Sequence, residues 1–236
     1  GSRELKQDSR AMEYLGRAIT GKSLLLCQTC GSCLSRCFLK DVISEANPRK
    51  FVKMVSNGWE ELALESRFLW TCTLCNRCTF DCPMGIRMDE VVRAVRGVQA
   101  ERGETPSVLQ DGVESAVETG NVSMIPKEEF VDTVEWLEEE LQDDLEDESF
   151  SFPIDKKGAN LLYTVNAREP KFYPMDISQA AMVFYLAGED WTMSSKGWDD
   201  TNLAMFAGDL KAAGYVSQLV RDAAEELEVK RVAITE

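Results

Sequence analysis

The sequence predicts an α+β protein in which an all-helical module precedes a partial α/β domain with a parallel sheet. Three observations point there. All eight cysteines lie between positions 27 and 82, among apolar residues that recur at helical spacing. After Lys157 the pattern changes to short apolar runs at 159–165 and 231–235, of strand length. Two stretches of helical period, 176–186 and 208–227, lie between those runs, and strand, helix, helix, strand is the order of a parallel layered sheet.

Taken in order, residues 3–20 set Leu5, Met12, Leu15 and Ile19 at helical intervals before Gly21, which reads as a lead-in helix. Pro48 opens an amphipathic stretch with Phe51, Met54 and Val55 inward, closed by Asn57-Gly58. A short helix at 60–66 leads to Trp70, and 89–102 repeats Val91, Val92, Val95 and Val98 at helical spacing with its charges outside. A further helix is expected at 106–119, ended by Gly120-Asn121. Residues 127–148 read as a strongly acidic helix carrying Phe130, Val134, Trp136, Leu137, Leu141 and Leu145. That helix is either an arm that docks a basic partner or a solvated face lying on the body of the protein. The run Ser149-Phe150-Ser151-Phe152-Pro153 looks like a linker. The expected organisation is a helical module at 1–120, the acidic helix and linker at 121–157, and a partial α/β domain at 158–236. Ligands bind beyond the carboxyl ends of strands in open α/β sheets. The sequence stops just after the last strand run, which gives this region the look of a truncated domain.

The cysteines fall in two copies of C-x2-C-x2-C-x3-C: Cys27, Cys30, Cys33, Cys37, then Cys72, Cys75, Cys78, Cys82. This is the ligand run for a pair of 4Fe-4S clusters, in which the fourth cysteine serves the other cluster. Crossed ligation gives one cluster Cys27, Cys30, Cys33 and Cys82, and the other Cys72, Cys75, Cys78 and Cys37. Pro83 completes the second motif, whereas Phe38 stands at the matching place in the first. With both motifs set between helices, the module reads as a helical ferredoxin and not as the short-stranded bacterial type. Zinc sites commonly use two C-x2-C pairs on separate knuckles. Disulfide frameworks belong to short secreted chains. The chain has no histidine, which excludes Rieske centres, His-ligated haem, Cys/His zinc sites and Ser-His or Cys-His nucleophiles. Redox chemistry here has to run through the clusters.

A net charge of -15 makes nucleic acid and anionic membrane surfaces poor partners. The longest uncharged apolar run, 177–188, is about half of what a membrane span needs. Without a signal-peptide pattern, a cytoplasmic location is expected. Arg36, Lys40 and Arg77 flank ligands and either oppose the negative field locally or serve solubility. Trp70 and Phe38 are expected to shield the clusters from water.

Both cysteine motifs resemble those of the heterodisulfide-reductase-like iron-sulfur proteins. So do Lys156-Lys157-Gly158-Ala159 leading into a strand, Gly188-Glu189-Asp190-Trp191-Thr192, and Trp198-Asp199-Asp200-Thr201-Asn202. The resemblance is to the fused type, in which a helical ferredoxin precedes a catalytic α/β region. It implies a component of a multi-subunit oxidoreductase that relays single electrons between other redox subunits, flavin or iron-sulfur proteins. It allows a place at the cytoplasmic face of a membrane complex. The alternative it implies is a catalytic subunit of a disulfide or acyl-CoA reductase. In the family the catalytic region carries cysteine-rich motifs ending in Cys-Cys-Gly, but this sequence has no cysteine after Cys82, so no catalytic residue can be carried over.

Overall fold

The computed structural model describes residues 24–43 and 45–235. The lead-in helix expected at 3–20 lies outside them. Of the described residues, those up to Pro106 together with Met205–Leu210 form one compact unit, and Ser107–Ala204 with those from Lys211 to Thr235 form the other.

The first unit is helical: α1 (Ser32–Arg36), α2 (Pro48–Ser56), α3 (Glu60–Leu64), α4 (Phe68–Thr71), α5 (Arg77–Phe80) and α6 (Met88–Arg102). Helix α2 starts on proline, which has no N–H to leave unpaired, and the Asn47 side chain accepts from Lys50 N at 2.9 Å. Its buried Phe51 meets Phe68 of α4 with ring centroids 5.1 Å apart. Helix α6 has Asp89 and Glu90 in its first turn, complementing the helix dipole, and Gly103 caps it in the left-handed region (φ 70°). Val91, Val92, Val95 and Val98 are buried as their spacing predicts. The expectation that all charges of this helix face outward is corrected, since Asp89 and Arg96 are both buried.

The second unit holds α7 (Ser107–Thr119), α8 (Lys127–Leu145), β1 (Leu161–Tyr163), α9 (Glu169–Phe172), α10 (Pro174–Ala187), β2 (Trp191–Thr192) and β3 (Arg231–Ala233); α11 (Leu203–Ala207) and most of α12 (Leu210–Glu226) complete the chain order. Helix α7, which the expected boundary at residue 120 places with the cysteines, belongs to this unit. The sheet order is β2-β1-β3, all parallel, with Leu161 opposite both Trp191 and Arg231. Strand β2 is an addition to the expected elements: two residues are too few to show alternation. Bridges Ile154–Met193 and Val165–Asp199 extend the parallel pairing beyond the short strands.

The acidic helix α8 buries a stripe at Phe130, Val134, Leu137 and Leu141, one apolar residue every three or four. Phe130 stacks on Trp198 with centroids 4.5 Å apart and planes 2° from parallel. Trp136 instead sits on the outer, acidic face. The helix stops at Leu145 because Glu146 turns left-handed (φ 52°) and Asp147 N bonds back to Gln142 O. The segment read as a linker is packed: Phe150 and Phe152 are buried in the core of this unit and meet edge to face. Among the described residues no helix is long and apolar enough to cross a membrane. Because Phe130 is fully buried and stacked, Phe130→Ala should destabilise the chain by about 3–5 kcal/mol, whereas Trp136→Ala should change it by less than about 0.5 kcal/mol. Denaturant titration of both variants measures the contrast.

Candidate metal centre

The two cysteine motifs share one backbone device. In each, the residues just before and just after the middle cysteine are left-handed: Thr29 (φ 55°) and Gly31 (φ 92°) around Cys30, Leu74 (φ 56°) and Asn76 (φ 63°) around Cys75. Two reversals of handedness within four residues curl the chain so that three sulfurs at x2 spacing turn inward. Glycine takes this conformation freely and asparagine with little penalty, but Thr29 and Leu74 each cost about 1–3 kcal/mol. A short helix follows each loop, carrying Cys33 in α1 and Cys78 in α5. Cys37 caps α1 through its N–H to Leu34 O, and Cys82 N bonds to Thr79 O beyond α5. The two short helices pack together, and Arg36 pairs with Asp81 at 3.0 Å, each residue directly preceding a fourth cysteine. Both side chains are exposed, so this pair contributes little stability.

The sulfurs ring two cavities. Cys27, Cys30, Cys33 and Cys82 line the first, together with Cys78, Arg49 and Pro83. Cys37, Cys72, Cys75 and Cys78 line the second, together with Phe38, Arg77 and Asp89. Cys78 and Met88 are common to both walls. Cys30 and Cys75 are exposed, and the other six cysteines are partly buried.

Burial is the first cause that pushes the Cys33 thiol up to about 11, and the nearby Cys27, Cys82 and Cys30 push the same way. Burial likewise pushes Cys78 up to about 12, with Cys72, Cys33 and Cys75 adding to it. Cys72 is raised by burial, opposed by the Leu74 N–H and the Arg96 charge and reinforced by Cys75 and Cys37. Cys30 runs the other way, lowered by the Ser32 hydroxyl and the Ser32 N–H. Buried thiols that repel one another become thiolates together only around a cation, which is the chemistry of a metal-ligand set. A tetrahedral zinc, with Zn–S of about 2.3 Å, needs its sulfurs within roughly 4 Å of one another. Among the described residues no three cysteines, aspartates or glutamates converge closely enough to hold one metal ion. Two sets of thiols, each spread round its own cavity, fit polynuclear clusters.

Of the flanking residues, Phe38 lines the second cavity, half exposed, with the Arg77 guanidinium 5.9 Å from its ring centroid. Trp70 lines neither cavity; its indole N–H donates to Gln99 Oε1 at 2.6 Å. Arg36, Lys40 and Arg77 share an open groove beside Cys37 with Asp41 and Asp81. Sequence reasoning missed Arg96 and Asp89. The available signal for Arg96 was its place directly after Val95 and four residues after Val92, on the apolar stripe of α6.

Residues 26–87 match the 4Fe-4S dicluster domain family. The chain is 31% identical over 118 residues to a protein of Archaeoglobus profundus that is like the C-type component of heterodisulfide reductase, covering 50% of this chain and 62% of that one. Its iron-sulfur region is similar to that of C-type heterodisulfide reductase components. Identity is 29% over 82 residues to a C-type iron-sulfur component of the CoB--CoM heterodisulfide reductase of Methanocaldococcus jannaschii, over 35% of this chain and 43% of that one. It is 28% over 87 residues to the C-type component of the H(2):CoB-CoM heterodisulfide,ferredoxin reductase of Methanothermobacter thermautotrophicus, over 37% and 46%. The chain thus spans roughly half the length of these curated relatives. The dicluster match supports 4Fe-4S binding within residues 26–87, the stretch that carries all eight cysteines.

The left-handed Gly31 has only Arg49 Nη1, at 3.8 Å, near the place a Cβ would take, so a side chain there meets strain and no clash. Gly31→Ala should therefore cost about 1–2 kcal/mol while keeping full iron content. Iron analysis and thermal unfolding of the loaded variant together check this.

Proposed function

We propose that this chain is an electron-transfer component of a heterodisulfide-reductase-like oxidoreductase and that it holds two 4Fe-4S clusters side by side. The observation that carries the proposal is the division of eight thiols between two adjoining cavities with Cys78 on the wall of both. In the crossed assignment Cys27, Cys30, Cys33 and Cys82 hold one cluster, and Cys37, Cys72, Cys75 and Cys78 the other. The cavity walls support it, with Cys82 beside Cys27, Cys30 and Cys33 in the first and Cys37 beside Cys72, Cys75 and Cys78 in the second, while Cys33 acts on Cys78 across the shared wall.

When bound, 4Fe-4S clusters supply one-electron transfer at potentials set by charge, hydrogen bonding and exposure. The chain's own residues orient the sulfurs through the four left-handed positions and keep water from the inner wall with Met88, Ile86 and Phe68. Exposed Cys30 and Cys75 leave each cavity an open edge for exchange with a donor or acceptor. The partners in this reading are other redox subunits, flavin or iron-sulfur proteins, in the cytoplasm or at the cytoplasmic face of a membrane complex.

A catalytic role for the α/β unit has no comparable support. At the carboxyl ends of its strands Asp199 accepts from the backbone N–H groups of Val122, Ala167 and Thr201, and Asp200 from Thr164 Oγ1 and Thr235 N. These carboxylates hold loops together.

Anaerobic reconstitution should give about eight irons per chain, four for each cluster. Cys82→Ser should then perturb the cluster bound by Cys27, Cys30 and Cys33, and Cys37→Ser the one bound by Cys72, Cys75 and Cys78. Mössbauer spectra of the two variants, compared with Cys30→Ser and Cys75→Ser, decide the pairing. Cys82→Ser resembling Cys75→Ser would contradict it, and a colourless chain binding two zincs would contradict the whole reading.

A further inference from the structure

Arg96 is the largest fully buried side chain among the described residues, and no carboxylate pairs with it there. Its Nε and Nη2 donate to Leu69 O at 2.9 and 2.8 Å, Nη2 also to Cys72 O at 2.6 Å, and Nη1 to Phe206 O at 2.8 Å. The guanidinium lies over two rings, 4.7 Å from the Trp70 centroid and 4.1 Å from that of Phe206. Gly208 makes this enclosure possible within the first unit, since a Cβ there would stand 2.3 Å from Arg93 O and 2.7 Å from Gly97 N. The chain therefore closes over the cation against the backbone of α6.

Carbonyl oxygens take four of the five N–H groups of Arg96 but leave its unit charge unbalanced, and an arginine does not shed that charge in a protein. A buried charge requires a compensating one. Cys72 is the acidic group that acts electrostatically on Arg96, and Arg96 also holds its carbonyl. Other charges around the second cavity are Arg77, which is exposed, and Asp89, which is buried but shared by Arg87 and Arg93. The first cavity has Arg49, also exposed. Water and salt screen the exposed cations far more than the enclosed one.

Resting on the reading that clusters fill both cavities, we propose that Arg96 is the buried counter-charge of the cluster bound through Cys72, raising its reduction potential so that it accepts the first electron. One-electron reduction makes a cluster more negative by one charge, with no bond formed or broken. A fixed cation favours that state over the oxidised one. Arg96 is a tuning residue that acts through its charge and its hold on the Cys72 carbonyl.

The test is a dithionite titration of the full reconstituted chain followed by EPR, with Cys75→Ser identifying the signal of the Cys72-bound cluster. That cluster should be reduced first in the wild type. Arg96→Gln, at full iron content, should lower its reduction equilibrium about tenfold or more, which is about 59 mV for a one-electron couple, and move the other cluster much less. Arg96→Lys keeps the charge and should stay close to wild type. The inference is overturned if the other cluster is reduced first, if Arg96→Gln leaves both couples in place or shifts them equally, or if Arg96→Lys shifts as far as Arg96→Gln. Should Arg96→Gln not take up iron, the wild-type order and Arg96→Lys decide alone. A wild type that shows no cluster signal at all fails earlier, at the assignment of the cavities.

Discussion

Burial pushes the thiols of Cys33, Cys72 and Cys78 away from ionisation, and their crowding with other cysteines pushes further in the same direction. They become ligands only together with a cation, so the inner part of the helical unit is organised around a charge that its own side chains do not provide. The backbone bears part of the cost. Thr29 and Leu74 are held left-handed in mirrored places of the two loops, and that conformation persists only where surrounding structure enforces it. Helices α2, α4 and α6 supply the enforcement, with Phe51, Phe68, Leu69 and the valines of α6 forming the wall against which both motifs fold.

The same wall carries the electrostatics. An arginine inside an apolar stripe would be a defect in an ordinary helix. Here each of its three nitrogens donates to a carbonyl, and its unbalanced charge lies beside a ligand loop. The two cavities are therefore alike in their loops and unlike in their surroundings, with Arg96 and the Asp89 pairings near one and, among the described residues, the exposed Arg49 on the wall of the other. Between them stands Cys78, one residue with a face in each.

The ligand residues are legible because metal coordination writes its spacing directly into the sequence, and Cys27 to Cys82 need no knowledge of packing. Helices α6, α8, α10 and α12 are legible because their apolar period runs for three turns or more. Strand β2 is not: Trp191-Thr192 pairs through its backbone, and two residues leave no pattern. Phe150 and Phe152 read as linker because serines and a proline surround them, yet two aromatic residues are large enough to be drawn into a core whatever their neighbours. The rule that charges face water puts Arg96 and Asp89 outside. The exceptions are those with buried partners, and those partners, Leu69, Cys72 and Phe206 for one and Arg87 and Arg93 for the other, are mostly distant in sequence or set by loop geometry.

EPR of the fully reduced chain tests most directly whether two clusters occupy adjoining cavities with a wall in common, because two neighbouring paramagnets broaden and split each other's signals. Clusters so placed predict a spectrum that integrates to about two spins per chain, one for each reduced cluster, with mutual broadening that disappears when only one cluster is reduced. Two sharp, independent signals, or a single spin per chain, would contradict that arrangement.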